Sequence, residues 1–443
     1  YSASEEIINA CIQAAGIKHI LTSKQVISKL GLNLDAEVVE LESLKSKVSK
    51  MDKAIAAMQA YAMPSFLLES SLGLGAIQPD DVSTIIFTSG STGTPKGVML
   101  TQNNVASNIE AFQKVIDLKS SDVLMGILPF FHSFGYTVTL WGNSMLDVAA
   151  AYHYTPLDGR QIGKLCDKFS GTVLISTPTF LRGYLKRTKE EQFKTLEVVV
   201  TGAEKLPADL ADAFEEKFGI RPVEGYGATE LSPVVSVNVP PSRAKGEAED
   251  GCREGTIGRP LPGVTARILD LDSGEELGPG EAGMLWIKGP NVMKGYYQRD
   301  DLTGEVIQDG WYKTGDVARI DEQGFISITG RISRFSKIGG EMVPHLQIEE
   351  ALNDIIGVDD EEGIRAVVTA VPDDKKGERL VVVHTELEMS VDDLRSGLSD
   401  RGLPNLYIPS ADSFMQVDSI PVLGTGKLDL KGIKNSAVDK FGS

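Results

Sequence analysis

The sequence predicts an α/β protein: a large, multi-sheet α/β N-terminal domain ending in a small β unit, then a smaller α/β C-terminal domain. Three observations carry this. Strand-like and helix-like segments alternate through the first half of the chain, which argues for α/β units with mainly parallel pairing. From about Gly258 to Thr329 the texture turns to short β runs with Gly-rich turns (ARILDLDSGEELGPGEAGMLWIKG, then GFISITG), the pattern of a mostly antiparallel unit. From about Ile348 a compact α/β pattern resumes. The domains are therefore placed at 1–334, with the β unit at 258–330, and at 335–443, with the boundary near Arg334.

Taken in order, Ser4–Ala14 reads as a helix and His19–Thr22 as a strand. No strand precedes that helix, so the reading is of a βαβ unit whose first strand is missing and of an N-terminally truncated domain. Thr172–Ser176 and Leu196–Thr201 are apolar, β-branched runs typical of buried strands, with a helical stretch from Phe180 to Thr195 between them. After Gly202, the apolar residues Leu206, Leu210, Phe214 and Phe218 recur every four positions, with Pro207 suited to the first turn and Gly219 to the end. Arg221–Gly225 reads as a further strand running into a loop. Ser242–Glu254 is polar and charge-mixed, and reads as a mobile surface loop. In the last domain, helices start at Gln347 and Asp392, with strands at Arg365–Val371 and Leu380–Leu387.

Composition bounds the function. The chain has 443 residues, 42% apolar and 24% charged, as in ordinary globular proteins, which excludes collagen-like, disulfide-scaffold and disordered classes. Its 44 basic and 62 acidic residues give a net charge of −18, a field that opposes nucleic acid and anionic membranes, so no nucleic-acid partner is expected. Any polyphosphate must be held by a local device. Cys11, Cys166 and Cys252 are odd in number and widely spaced, which suits a reducing, cytoplasmic compartment. No run is long and apolar enough for a membrane span.

One segment supplies such a device. In Thr84–Thr101 (TIIFTSGSTGTPKGVMLT) an apolar strand leads into ten residues made only of Thr, Ser, Gly, Pro and Lys. Without bulky side chains, backbone N–H groups and hydroxyls can converge on an anion, and Lys96 adds positive charge. The loop is not a Walker A motif, and no Rossmann GxGxxG is present. There is also no GxSxG elbow around Ser133 and no HExxH among the five histidines, so serine-hydrolase and zinc-hydrolase readings find no support. Read alone, Glu230 is equally an exposed loop acid, Asp316 a turn residue, Lys427 one solvated lysine among many, and His132 a partly buried core histidine.

The loop TSGSTGTPKG resembles the phosphate-loop signature of the adenylate-forming (AMP-binding) superfamily, and further motifs follow in the family's order: TGAE at 201–204, EGYGATE at 224–230, YKTGDV at 312–317, Gly330–Arg331 and PVLGTGKLD at 421–429. The resemblance implies ATP and Mg²⁺ as cofactors. It implies phosphate contacts from Thr88, Ser89, Gly90, Ser91, Thr92, Gly93, Thr94 and Lys96, and an adenine-side loop at Gly202, Ala203 and Glu204. Tyr226 and Gly227 would lie against adenine, Thr229 would contact phosphate and Glu230 would hold Mg²⁺. Asp316 would accept the ribose hydroxyls beside Arg331, Lys427 would reach the acyl carboxylate and α-phosphate, and His132 would gate or orient beside an acyl pocket walled by Phe130, Phe131, Phe134, Val234 and Val235. The C-terminal domain would be a mobile lid, pivoting at Arg334.

A narrower likeness, carried by FFHSFGYT, VTGAEKLP, EGYGATELSPVVSVNVP, RFSKIGGEMV and PVLGTGK, is to the synthetase half of the bacterial acyl-[acyl-carrier-protein] synthetase/2-acylglycerophosphoethanolamine acyltransferase family. It implies a ligase of fatty acid and phospholipid metabolism that activates a fatty acid as acyl-AMP and passes it to acyl carrier protein. It leaves room for membrane association of a full-length protein. The alternatives are a fatty acyl-CoA ligase, with CoA as acceptor, and an inactive nucleotide-binding fragment of a bifunctional acyltransferase. For an acidic carrier protein, the expected docking charges are Arg182–Lys194, or Lys375, Lys376 and Arg379 with Arg334 and Lys337 at the hinge.

Overall fold

The computed structural model describes residues 5–89, 95–245, 251–339, 341–357, 365–373, 375–422 and 428–442. It opens with α1 (Glu5–Ala15), β1 (His19–Thr22), α2 (Lys24–Leu30), β2 (Glu37–Glu40) and the helices α3 (Leu41–Lys47), α4 (Lys50–Ala62) and α5 (Ser65–Ser71). β1 and β2 pair in parallel. Among the described residues of this segment, only Ile12 is a buried apolar side chain, while Leu21, Met51, Met58, Tyr61 and Phe66 face solvent.

The antiparallel hairpin β3 (Val82–Ser89) and β4 (Pro95–Thr101) comes next, and Thr101 caps α6 (Gln102–Val115) through a reciprocal box with Asn104. A seven-stranded sheet then forms from β5 (Val123–Gly126), β6 (Ala149–Tyr152), β7 (Val173–Ser176), β8 (Val198–Thr201), β9 (Val223–Gly227), β10 (Val234–Val237) and β11 (Arg259–Pro260). Its order is β11-β10-β9-β8-β7-β5-β6, parallel from β6 through β9 and antiparallel thereafter. Between β5 and β6 a π-helical turn, Gly135–Gly142, runs into the short α7 (Asn143–Met145). The crossovers are α8 (Gly159–Phe169), α9 (Pro178–Arg187) and α10 (Ala208–Phe218). The apolar side of α10, Leu210, Phe214 and Phe218, packs with Phe193 and Tyr184 into one core.

A second, antiparallel sheet follows. It holds β12 (Thr265–Leu269) and β13 (Gly283–Lys288), and then the chain returns briefly to the hairpin, where β14 (Gly295–Tyr296) pairs with β4. After α11 (Asp300–Val306), the second sheet is completed by β15 (Ile307–Gln308), β16 (Trp311–Ile320) and β17 (Ile326–Arg331). The last sheet takes β18 (Phe335–Ile338), β19 (Glu341–Pro344), β20 (Ala366–Asp373), β21 (Gly377–His384) and β22 (Phe414–Gln416), ordered β19-β18-β21-β20 with β22 along β21. Helices α12 (His345–Ile356) and α13 (Val391–Asp400) pack on one core, and α14 (Leu430–Phe441) on another. No described helix is long and apolar enough to cross a membrane.

The structure departs from the sequence reading in instructive places. The stretch expected to be helical to Thr195 stops at Arg187. There Thr188 turns inward to bond the Gly159 carbonyl at 2.9 Å, and a separate 3₁₀ turn covers Glu190–Gln192. Pro207 stands at the N-cap of α10 rather than within its first turn, and Gly219 closes it in the left-handed conformation.

The charge-mixed stretch read as surface loop hides a buried arginine. Arg243 is 1% exposed. Its guanidinium meets both Asp122 oxygens at 2.8 and 2.9 Å, Glu197 at 2.9 Å and the Asp117 carbonyl at 2.7 Å. Residues 246–250 of that stretch lie outside the described residues. Arg334, read as the pivot and as one of the docking charges at the hinge, is buried and paired with Glu349, so it offers no charge to a docking surface.

Candidate active site

The hairpin β3–β4 sets Thr88 directly opposite Lys96. Residues Gly90, Ser91, Thr92, Gly93 and Thr94 lie outside the described residues, as does the side chain of Ser89. What remains is the root of the loop. Lys96 projects over the ring of Tyr296, 5.1 Å from its centroid, a cation–π arrangement.

Glu230 arrives from the opposite side. β9 carries EGYG, and a 3₁₀ turn, Thr229–Leu231, follows it. Gly227 is required there, because a Cβ on it would lie 2.0 Å from the Pro233 carbonyl oxygen. The turn leaves Glu230 half-buried, and its carboxylate Oε1 accepts the Tyr296 phenol at 2.8 Å. Burial and the neighbouring Glu230 charge push the Tyr296 phenol up, so it stays a protonated donor. No described residue bonds Glu230 Oε2.

Tyr226 and Asp316 form the second cluster. The Tyr226 phenol donates to Asp316 Oδ2. Asp316 and Arg331 are directly opposed on the antiparallel pair β16–β17, and Arg331 Nε donates to Asp316 Oδ1 at 2.7 Å. Asp316 is 3% exposed, whereas the Arg331 side chain is 65% exposed. A carboxylate has about four lone-pair sites, so Asp316 keeps acceptor capacity beyond these two donors. Burial pushes the Tyr312 phenol on β16 up, and the nearby Glu230, Tyr296 and Tyr226 add to the rise.

The adenine-side candidates lie on the loop after β8. Gly202 has room for no side chain without pressing on Phe134, 3.1 Å from a built Cβ, so the FFHSFG segment and the TGAE loop pack together. Ala203 takes a left-handed φ of +70°. Glu204 accepts from the Thr179 hydroxyl at 2.6 Å and its N–H at 3.2 Å, holding the loop against α9.

His132 is exposed rather than partly buried in a core, and its ring lies 4.4 Å from that of Phe131, tilted by 47°. Its neighbour Ser133, rejected from sequence as a nucleophile and given no other role there, donates to Thr229 Oγ1 at 3.2 Å. Of the expected pocket walls, Phe130 and Phe131 are exposed, Phe134 and Val234 half-buried, and Val235 is fully buried in the core.

Lys427 lies outside the described residues. The described residues on either side are joined by a bridge between Val422 and Leu428 and by Asp429 N–H bonding the Pro421 carbonyl at 3.0 Å.

For a metal, the fit is to one carboxylate with a ready oxygen. Among the described residues no group of three or more His, Cys, Asp and Glu side chains gathers. A cation at Glu230 would therefore share its shell with phosphate oxygens and water, the usual arrangement for Mg²⁺.

Comparison with known proteins follows the same lines. The model for the family of AMP-binding enzymes matches residues 2–297. A long-chain-fatty-acid–CoA ligase of Bacillus subtilis is 32% identical over 367 residues, covering 81% of this chain and 62% of that protein. A feruloyl-CoA synthase of an Amycolatopsis species is 31% identical over 358 residues, covering 80% and 69%. The chain thus spans less than two thirds of the length of the first of these. The crystal structure of ATP-bound MatB from Rhodopseudomonas palustris superposes with a TM-score of 0.79 at 26% identity, over 99% of this chain and 83% of that one. An o-succinylbenzoate-CoA synthetase of Bacillus subtilis, in complex with its acyl-adenylate, has the same fold at a TM-score of 0.78 and 22% identity, over 98% of this chain and 81% of that one. The chain belongs to the family of AMP-binding enzymes.

Proposed function

We propose that the chain is an AMP-forming ligase. It activates a fatty acid with ATP as acyl-AMP and transfers the acyl group to the phosphopantetheine thiol of acyl carrier protein. The observation that carries the nucleotide part is the convergence of Lys96 on β4, Glu230 on the turn after β9 and Asp316 on β16 with the buried Tyr296 and Tyr312 and the half-buried Tyr226. The relatives support the ligase part. MatB is described with ATP bound, and two similar proteins are named CoA ligase or synthase.

In this reading the first step joins two anions, a carboxylate and a triphosphate, so charge neutralisation matters more than proton transfer. Lys96 and the backbone of residues 88–97 hold the β- and γ-phosphates. Asp316 accepts the ribose hydroxyls with Arg331 beside it, Tyr226 lies against the adenine, and Gly202, Ala203 and Glu204 close that side. Glu230 holds Mg²⁺, which when bound supplies positive charge to the phosphate oxygens. Lys427 neutralises charge at the α-phosphate, and Thr229 contacts phosphate. His132 stands at the mouth of the acyl site beside Phe130 and Phe131, whose exposed rings offer apolar surface. Residues 1–334 form the main domain and 335–443 a lid.

A second reading replaces the carrier protein with free CoA, which the names of the relatives favour. The deciding experiment measures ATP-dependent hydroxamate formation over a panel of fatty-acid chain lengths, then compares holo acyl carrier protein with CoA as acceptor. Lys427→Ala should lower adenylation on the order of 10²–10³-fold and spare thioester formation from supplied acyl-AMP. Equal loss in both half-reactions refutes its role. Preference for CoA replaces the carrier protein, and no hydroxamate with any chain length leaves the inactive fragment.

A further inference from the structure

We propose that Tyr296 is a positioning residue that sets both Lys96 and the Glu230 carboxylate. Its O–H engages Glu230 Oε1, so that Oε2, which no described residue bonds, is the oxygen turned to a divalent cation, and its ring face carries the Lys96 ammonium. The proposal rests on the reading that Glu230 holds the metal.

The geometry around Tyr296 is fixed at every end. It is 3% exposed. Upstream, Met293 N–H bonds the backbone carbonyl of Glu230 itself at 2.8 Å. Lys294 N–H bonds the Met99 carbonyl at 3.0 Å, and Tyr297 N–H bonds the Gly97 carbonyl at 2.7 Å. Tyr296 pairs with Val98 across β14–β4, and its own N–H bonds Thr303 Oγ1 at 2.9 Å. Five consecutive residues, 293–297, therefore strap the Glu230 turn to the strand that begins with Pro95 and Lys96. The phenol sits where this strap crosses the gap between the two charges.

The chemistry matches the position. Mg²⁺ demands near-octahedral geometry and usually takes a carboxylate with the help of substrate phosphates and water. A donor held on one oxygen by a rigid phenol orients the other. A ring face within about 6 Å of an ammonium attracts it without neutralising it, which leaves Lys96 charged for an anion.

The test uses Mn²⁺ binding, read by paramagnetic resonance in the presence of a non-hydrolysable ATP analogue, on the wild type, Tyr296→Phe and Glu230→Gln. Loss of a hydrogen bond to a charged group should weaken Mn²⁺ binding by about ten-fold in Tyr296→Phe. Metal-free binding of the analogue should stay within about two-fold, because the ring over Lys96 survives. Tyr296→Leu, which removes the ring as well, should weaken metal-free binding too. If Glu230→Gln loses Mn²⁺ affinity and Tyr296→Phe does not, the proposal is overturned and the metal reading stands. If neither variant loses affinity, the metal reading falls and the proposal with it. Should Tyr296→Phe fail to fold, a fluorotyrosine at position 296 replaces it. Its fluorine resonance must move when Mg²⁺ is added with the analogue, and a resonance that stays put overturns the proposal.

Discussion

Arg334 and Glu349 form an ion pair closed off from water, the arginine side chain 6% and the glutamate 10% exposed. Glu349 Oε1 also accepts the Val368 N–H at 2.6 Å. One carboxylate thus ties the turn after β17 to α12 and β20. Burial raises the Glu349 pKa and Arg334 opposes that rise, so the pair is interdependent. Removing one partner of such a pair costs about 3–5 kcal/mol, whereas replacing both with apolar residues is often close to neutral. Glu349→Ala should destabilise the C-terminal sheet by about that amount, and Arg334→Met with Glu349→Leu should recover most of it. Urea unfolding of the two variants checks this.

Behind the pair, His345 is 5% exposed and shares a 2.6 Å hydrogen bond with Ser336. Burial, with the charges of Arg334 and Lys434, pushes it down to about 3. Its folded pKa lies below the unfolded value of about 6.5, so the stability it contributes is present above pH 6.5 and is lost as pH falls toward 3. At pH 5 the loss is on the order of 2 kcal/mol. His345→Gln should flatten the fall in C-terminal Tm between pH 7 and pH 5 relative to wild type. Parallel Tm profiles would contradict the burial argument.

Gly227→Ala should be damaging out of proportion to its size. The new methyl would stand 2.0 Å from the Pro233 carbonyl oxygen and must displace the turn that carries Thr229 and Glu230. We expect a stability loss of about 1–3 kcal/mol and a fall in adenylation of about 100-fold. Gly225→Ala on the same strand meets nothing closer than 3.4 Å and should cost little, which makes it the matched control for rate and melting.

Asp316→Asn keeps shape but removes the charge that faces Tyr226 and Arg331. Hydrogen bonds to a charged group contribute about 1.5–3 kcal/mol, so KM for ATP should rise at least about ten-fold, with a smaller change in kcat. A kcat loss with unchanged KM would move Asp316 from nucleotide binding to the chemical step.

The fold was legible where pattern is strong. The four-residue period of Leu206, Leu210, Phe214 and Phe218 and the β-branched runs at 172–176 and 196–201 announce their elements directly. The helix end at Arg187 was not legible, because it is set by Thr188 reaching a carbonyl 29 residues away. Of the motif residues, Lys96 and Glu230 meet at Tyr296, and Tyr226, Asp316 and Arg331 meet one another. Tyr296, Tyr312 and Ser133 were missed because a tyrosine in a β-rich segment, or a serine after histidine, reads as ordinary packing. Only tertiary contact turns them toward Glu230 and Thr229. Arg243 and Arg334 were misread for the converse reason: a buried cation has the same local sequence as a solvated one.

Ala203 has a further consequence. A residue bearing a Cβ costs roughly 1–2 kcal/mol in the left-handed region, where glycine would sit without penalty. Its neighbours, Thr179 clasping Glu204 and Phe134 against Gly202, hold the loop in that unfavourable state. A glycine at 203 would relieve the strain and at the same time multiply the shapes open to the loop in the unfolded chain and in the native one. Thermal tolerance and loop order would then change in a ratio that reports how much of the folding free energy this short corner spends on staying still.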